Sequence, residues 1–500
     1  MNEVTNEIDK DLLALQEMRT AVKNAKKAQA VYQTYSQSQV DDIVAAIAES
    51  AFSESERLAI LAVEETQMGV VAHKKIKNQV GSRDVYESIK NLKTVGVINE
   101  DKEKRVLEIA DPFGVILAII PTTNPTSTAF FKVLISLKTR NAVVVSPHPY
   151  AVKCTLEALK VCNEAAVKAG APDGLIQCLT QSSMEATQQA MVHADIDLIL
   201  ATGGGALVKA AYSSGKPAYG VGPGNVPVYV ERTAKIEQAI KHIVDSKSFD
   251  YGTICATEQA IVVDRNVESL VKRELEKNNA YILTPNEKLK MEHVISPIPG
   301  RVNPKIVGKS PQFIAQLAGI EIPSDTRILI GEETEVGANI PFSLEKLSPV
   351  FAMYVVNDLK EAKAMCLDLL NLGGRGHSLS IHTETDEIAR EFALDMPVSR
   401  ILVNTMSSVG AVGGTTGLMP SMTLGCGSFG GNITSDNVTA KHLINIKRLA
   451  YGIREVDLSA DSSVPEVTIK KAVEETVAQS QSVDPEVIKQ LVTEIVNKLK

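Results

Sequence analysis

Val115-Ile116-Leu117-Ala118-Ile119-Ile120-Pro121-Thr122-Thr123-Asn124-Pro125-Thr126-Ser127-Thr128 joins an unbroken apolar run to a proline-bounded turn and a helix-like segment over 127–138. A strand that is apolar at every position is covered on both faces. Such strands belong to parallel sheets with helices packed on either side. Working outward, the same alternation repeats. Apolar runs at 142–145, 176–179, 198–200 and 226–230 are separated by helix-like stretches such as 154–169 and 184–193. It resumes with 260–263, 327–330, 350–356, 379–382 and 401–403. This predicts an α/β fold with two doubly wound domains. The leading residues, about 10 to 95, read as helices, because Ile43, Ala46, Ile47, Phe52, Leu58, Ile60 and Leu61 recur at helical spacing.

The chain has 500 residues, 44% hydrophobic and 22% charged. That length predicts two or three domains. A net charge of -8 argues against a general nucleic-acid partner. No apolar run reaches membrane-spanning length, and Met1-Asn2-Glu3-Val4 is unlike a secretory signal. The six cysteines form no C-x-x-C pair, so no metal site or disulfide framework is expected. The reading is a cytoplasmic protein with reduced thiols.

Phe249-Asp250-Tyr251-Gly252-Thr253-Ile254-Cys255-Ala256-Thr257-Glu258-Gln259 puts one of those thiols on a short turn ahead of an apolar run. Backbone N–H groups close to such a sulfur favour a thiolate and an adjacent oxyanion. Covalent attack on a carbonyl needs both. Taken alone, Cys255 reads as an ordinary buried cysteine. The Gly-rich stretch from Gly410 to Gly431 reads either as backbone that approaches a ligand or as a flexible loop.

Further segments carry a family resemblance. Pro121-Thr122-Thr123-Asn124 closes the opening strand, and Ala201-Thr202-Gly203-Gly204-Gly205-Ala206 runs from a strand into a helix N-terminus. Val221-Gly222-Pro223-Gly224-Asn225-Val226-Pro227, Glu345-Lys346-Leu347-Ser348-Pro349 and Gly373-Gly374-Arg375-Gly376-His377-Ser378 follow in order. Singly, Asn124 reads as a turn cap, Glu345 as a solvated charge and His377 as a structural histidine. Together with the Cys255 segment they resemble the aldehyde dehydrogenase superfamily, in its CoA-acylating branch. The likeness is to the aldehyde dehydrogenase half of bifunctional alcohol/aldehyde dehydrogenases and to microcompartment acetaldehyde and propionaldehyde dehydrogenases. It covers about residues 15 to 450.

The resemblance implies two Rossmann-like domains in an aldehyde dehydrogenase-like fold. Residues 1–230, completed by about 430–455, would bind the cofactor, and 231–429 would form the catalytic domain. It implies Cys255 as nucleophile, with the Asn124 amide and the Cys255 N–H as oxyanion hole. Thr122, Ser146, Pro147, Thr202, Gly203, Gly204, Gly222 and Gly224 would line the cofactor, and Glu345 would bond its ribose. NAD is the branch's usual cofactor, with NADP not excluded, since Ser146-Pro147-His148-Pro149 replaces the superfamily's common Lys-Pro pair. His377 would take the CoA thiol proton or tune Cys255. His382, on the same expected strand, is read as sharing its face. Arg375 is a candidate for a CoA phosphate or an anionic substrate tail, or else a solvated loop arginine.

Hydrolytic members of the superfamily carry a water-activating Glu where alignment on Pro227 puts Val221. Valine cannot act as a general base, so a thioacyl-enzyme is left for the CoA thiol. The implied activity is oxidation of a short aldehyde, acetaldehyde by default, with NAD and CoA to an acyl-CoA, reversibly. Sulfoacetaldehyde, propionaldehyde and succinate semialdehyde are the alternative substrates. Hydrolytic oxidation to the free acid is one rival. A non-catalytic, microcompartment-associated interaction protein is another, against which Cys255, Asn124 and Glu345 together argue.

The resemblance also implies a homodimer or dimer of dimers. The tail reads as a linker over 456–483 and an amphipathic helix over 484–500. Asp484 suits the cap and Pro485 the first position. Val487, Ile488, Leu491, Val492, Ile495, Val496 and Leu499 form its apolar stripe. It resembles encapsulation peptides, which would make a shell protein its partner and place the protein inside a bacterial microcompartment. Packing on the protein's own surface and subunit contact are the alternatives.

Overall fold

The computed structural model describes residues 9–181, 183–456 and 484–498. The chain opens with helices Lys10–Tyr32, Gln37–Ser53, Ser55–Thr66 and Val71–Gln79, as the apolar spacing predicts. The second starts on a capping box between Ser36 and Gln39, which satisfies its first free N–H groups, and buries Ile43 and Ile47. The third ends at Gln67 in the left-handed region, φ 56°, which turns the chain toward Val71–Gln79.

Two parallel sheets follow. The first has five strands in the order Ile176–Cys178, Ala142–Pro147, Val115–Ile120, Leu198–Thr202, Ala218–Val221. Val115–Ile120 is central and buried at every residue, as its composition requires, and helix Pro125–Lys138 behind it is buried along its whole length. The chain winds outward in both directions from the gap between Val115–Ile120 and Leu198–Thr202. In such sheets ligands bind at this switch point, beyond the C-terminal strand ends.

The second sheet has seven parallel strands, in the order Ala280–Ile282, Ile328–Glu332, Val350–Val356, Glu258–Asp264, Val226–Val230, Gly376–His382, Val398–Val403. Val226–Val230 therefore hydrogen-bonds in this sheet and not with the first set of strands. It ends at residue 230, the expected domain limit, yet pairs on both sides with strands that follow it. Ala218–Val221 went unread because glycine and proline crowd it, and Ala280–Ile282 because it is only three residues long. A third sheet, of order Gly96–Asp101, Val106–Pro112, Ile444–Ala450, also had no sequence signal strong enough to read.

Contacts divide the chain into two units, one of residues 1–99 with 108–448 and one of 100–107 with 449–500. The first holds both parallel sheets. The second carries the helix Pro485–Lys498, with Pro485 at its first position and the Glu486 N–H donating to Asp484 Oδ1 at 3.1 Å, as read from sequence. Val487 and Val492 on it are 48% and 44% exposed. Residues 457–483 of the expected linker, Leu499, and the side chains of Leu491, Ile495 and Val496 lie outside the described residues. Among the described residues no helix is long and apolar enough to cross a membrane.

The central strand sets the stability of the first sheet. Leu117 is fully buried, so Leu117→Ala should cost about 2–5 kcal/mol, read as a lowered Tm. Leu394, 87% exposed, is the control, and Leu394→Ala should stay within about 0.5 kcal/mol of the parent. Equal shifts for the two would contradict this placement of the core.

Candidate active site

Helix Ile236–Ser248 delivers the chain to Asp250 and Tyr251, which both take left-handed backbone, φ 49° and 52°. That conformation costs a residue with a β-carbon roughly 1–2 kcal/mol. Gly252 continues the reversal at φ 73°. The Thr257 N–H then donates to the Ile254 carbonyl at 2.9 Å, so Cys255 and Ala256 form the corner of a closed turn. Strand Glu258–Asp264, near the middle of the second sheet, starts directly after it.

Asp250 holds this turn. Its carboxylate is fully buried and receives both Lys74 Nζ, at 3.0 Å, and Lys77 Nζ. The Val70 N–H donates to its other oxygen at 2.7 Å, and the Asp250 N–H donates to His73 Nδ1 at 2.8 Å. Burial alone would raise the carboxyl, but Lys77, Lys74 and the Val70 N–H outweigh it and hold Asp250 below its ordinary value. All these partners come from the end of the helical N-terminal region.

Asn124 lies beside the turn. Its Oδ1 accepts from Lys77 Nζ at 2.6 Å, and its NH2 donates to Thr123 Oγ1 at 3.0 Å and reaches toward the Thr253 carbonyl at 3.5 Å. Although Asn124 precedes helix Pro125–Lys138, its side chain makes no capping bond, so the turn-cap reading fails.

Cys255 keeps partial exposure at its rim. Its body packs with Val221, Phe249, Ile254, Ala256, Leu402, Ala411, Val412, Leu424 and Cys426. Burial pushes the thiol up to about 12, with Glu345 and Cys426 adding to it. Arg400 and the residue's own N–H, which lies against its sulfur, pull the other way and lose. The turn supplies the expected N–H but not a resting thiolate.

Half-buried Glu345 accepts from the Gly224 N–H at 2.9 Å. Burial lifts its carboxyl to about 7, against that bond and the charges of Lys247 and Lys346. Gly224 is pressed between neighbours. A β-carbon there would meet the Cys255 carbonyl at 2.2 Å and the His377 ring at 3.0 Å. His377 is fully buried, and burial with Arg400 lowers it to about 3, so it is neutral. Its Nδ1 meets Ser378 Oγ at 3.0 Å, while its Nε2 has no partner. His382 is five positions along the strand, an odd separation, so it takes the opposite face. Its ring lies 6.0 Å from His242, which corrects the reading that the two histidines share a face.

Thr122 and Thr202 lie at the C-terminal ends of the two strands that flank the switch point, and Pro147 and Gly222 at those of the next strand out on each side. Ser146 is turned inward, its hydroxyl 2.8 Å from Thr187 Oγ1, and Thr202 Oγ1 is 3.1 Å from Thr423 Oγ1. A β-carbon on Gly204 or Gly222 would meet nothing within 4 Å, whereas one on Gly203 would meet Leu207 at 2.8 Å. Open backbone at the head of helix Gly205–Tyr212 fits the pyrophosphate of a dinucleotide. Exposed Arg375 donates to Asn371 Oδ1 at 2.6 Å and lies 5.8 Å from the Phe429 ring.

Sequence reading missed Lys74, Lys77, Asp250 and Arg400. Arg400, nearly buried, donates to the His377 carbonyl at 3.1 Å, the Gly425 carbonyl at 2.6 Å and Ser378 Oγ at 3.3 Å. It ties the histidine strand to Gly425 in the Gly-rich segment, where Leu424 and Cys426 are buried on either side. Only the residue types Lys-x-x-Lys and a lone Asp stood in the sequence, and nothing there pairs them.

Residues 10–299 match the model of the aldehyde dehydrogenase family. The chain is 47% identical over 442 residues to the aldehyde-alcohol dehydrogenase of Clostridium acetobutylicum, an alignment covering 87% of this chain and 51% of that protein. It thus spans about half the length of the curated relatives it matches first. An acetylating aldehyde dehydrogenase from Geobacillus thermoglucosidasius superposes with a TM-score of 0.89 at 53% identity, covering 90% of this chain and 99% of that one. A propionaldehyde dehydrogenase from the Clostridium phytofermentans fucose utilisation bacterial microcompartment gives 0.80 at 28% identity, covering 87% and 97%. The chain belongs to the aldehyde dehydrogenase family.

The raised thiol has a direct readout. Alkylation of Cys255 by iodoacetamide in the free protein should climb from about pH 7 to about pH 10 without levelling. Glu345→Gln removes an anion that holds the thiol up, and should speed alkylation at about pH 8 by up to about ten-fold, one pKa unit's worth. A plateau below about pH 8 would contradict the placement of the thiol.

Proposed function

We propose that this chain is a CoA-acylating aldehyde dehydrogenase that oxidises a short aldehyde with a nicotinamide dinucleotide and CoA to an acyl-CoA. The observation that carries this reading is Val221, which is buried in the apolar wall against which Cys255 packs. A valine at that wall offers no base to water, so the thioacyl group survives until a thiol arrives. The relative from Geobacillus is named as acetylating, and a Rhodopseudomonas palustris propionaldehyde dehydrogenase, 29% identical with a TM-score of 0.79, holds propionyl-CoA.

In this mechanism Cys255 Sγ attacks the aldehyde carbon and gives up its proton. That proton passes to solvent, which reaches the sulfur at its partly exposed rim. The alkoxide of the thiohemiacetal is met by the Asn124 amide and the Cys255 N–H. A bound nicotinamide supplies the hydride acceptor. Collapse leaves a thioester on Cys255. The CoA thiol attacks that carbon as neutral His377, unpartnered at Nε2, takes its proton; Cys255 then departs, and the proton passes from His377 to its sulfur.

The open glycines Gly204 and Gly222, with Thr122, Pro147 and Thr202 along the same edge, support the dinucleotide site, and Glu345 is assigned to its ribose. NAD is the proposed cofactor. Acetaldehyde is the proposed substrate, with propionaldehyde, sulfoacetaldehyde and succinate semialdehyde as alternatives that relatives take by name. The first sheet is proposed as the cofactor-binding layer and the second as the catalytic one.

The test is NADH formation across these aldehydes, with and without CoA. Wild-type protein should make NADH in repeated turnovers only when CoA is present. Cys255→Ser should fold, bind cofactor and lose nearly all turnover, about 10³-fold or more, because an alcohol is a poor nucleophile at neutral pH. Free acid released without CoA as fast as acyl-CoA forms with it would refute the acylating reading.

The helix Pro485–Lys498 supports a second role. Val487 and Val492 on it are exposed, and a microcompartment enzyme is among the solved relatives. We infer that the helix binds a shell protein, so that the enzyme, as a homodimer or dimer of dimers, works inside a microcompartment. Fusing residues 457–500 to a fluorescent protein should produce puncta in a host that makes the shell. Deleting them should leave kcat and the sedimentation of the assembly unchanged. A diffuse fusion, or a truncated protein that dissociates, would sink this role.

A further inference from the structure

Lys77 contributes no atom to the proposed reaction, yet the oxyanion donor depends on it. Its side chain is 3% exposed and its ammonium meets three acceptors: Asn124 Oδ1 at 2.6 Å, Thr253 Oγ1 at 2.9 Å, and Asp250 Oδ2. An ammonium can only donate. The Asn124 oxygen must therefore face Lys77, and its NH2 must face away from it, toward Thr123 Oγ1 and the Thr253 carbonyl at the start of the Cys255 turn. A carboxamide without such a partner has two orientations related by a flip of similar shape. One presents a donor to the reacting oxygen, and the other presents a repelling carbonyl.

We propose that Lys77 is a positioning residue that fixes the Asn124 amide with its donor toward the thiohemiacetal oxygen. This rests on the acylating reading above. The same ammonium bonds Asp250 and Thr253, so one side chain sets both the donor and the turn that carries the nucleophile. Asp250 keeps Lys74 as a second cation, and so the turn retains a buried ion pair when Lys77 is replaced.

A double-mutant cycle separates this from a general role in folding. Asn124→Ala should lower kcat for NADH formation about 10²–10³-fold, the usual cost of one oxyanion donor. Lys77→Met should lower it about ten- to hundred-fold, with the KM for the dinucleotide unchanged. In the Asn124→Ala background the same Lys77→Met change should cost less than about two-fold, because the amide it orients is gone. Lys77→Arg, also donor-only, should recover most of the rate. If Lys77→Met is too unstable to purify, Lys77→Gln takes its place. Its amide can accept as well as donate, so it frees the flip, and it should show the same loss that vanishes in the Asn124→Ala background. An equal loss in both backgrounds, or no loss at all, would overturn the proposal. Wild-type protein that makes no NADH from any aldehyde with CoA would remove the reaction itself, and this role with it.

Discussion

The buried carboxylate of Asp250 is the constraint on which the site depends. It sits on a residue in left-handed backbone, next to another, and that strained reversal turns Cys255 back over the end of the second sheet. Two ammoniums hold it, one of which also bonds the Thr123 carbonyl and the other Asn124 Oδ1. Loss of one partner of such a buried pair typically costs about 3–5 kcal/mol. The arrangement leaves no room around it. Gly69 has φ 79°, and a β-carbon there would stand 2.0 Å from Asp250 Oδ1. Helix Val71–Gln79 is thereby a strut between the strand-end turn of the first sheet and the Cys255 turn of the second.

Around this frame the charges are arranged so that little is ionised near the sulfur at rest. The thiol is protonated, His377 is neutral, and Glu345 lies near its midpoint at neutral pH. An apolar wall containing Val221 keeps the sulfur from acquiring a water-activating neighbour at that position. The chemistry that suits such a site begins when an aldehyde and a proton acceptor meet the thiol together. It ends with a thioester whose reaction partner is a nucleophile stronger than unassisted water.

Much of the fold was legible because parallel strands buried on both faces leave continuous apolar runs. Val115–Ile120 and Val350–Val356 were read with their observed limits. Strands of three or four residues among glycines and prolines were not, since their identity comes from hydrogen bonds to neighbours and not from their own side chains. Val226–Val230 looks the same in either sheet, and only its pairing with Glu258–Asp264 and Gly376–His382 assigns it. The motifs singled out Cys255, Asn124, Glu345 and His377, and the structure sets Glu345, Cys255 and His377 around Gly224 with Asn124 beside the Cys255 turn. Their ionisation was not legible, because burial reverses what a short turn implies for a thiol. Lys77 and Asp250 are separated by well over a hundred residues, and nothing local marks them as partners.

On the acylating reading, a thioacyl group on Cys255 is passed to CoA in preference to water. The most direct measurement is the lifetime of that group. Acyl-CoA would be mixed with enzyme lacking NADH, the acylated protein isolated, and its mass followed with and without added CoA. An acyl adduct on Cys255 should persist in buffer and disappear on addition of CoA, with acyl-CoA regenerated in equal amount. An adduct lost to free acid just as quickly in buffer alone would contradict that reading.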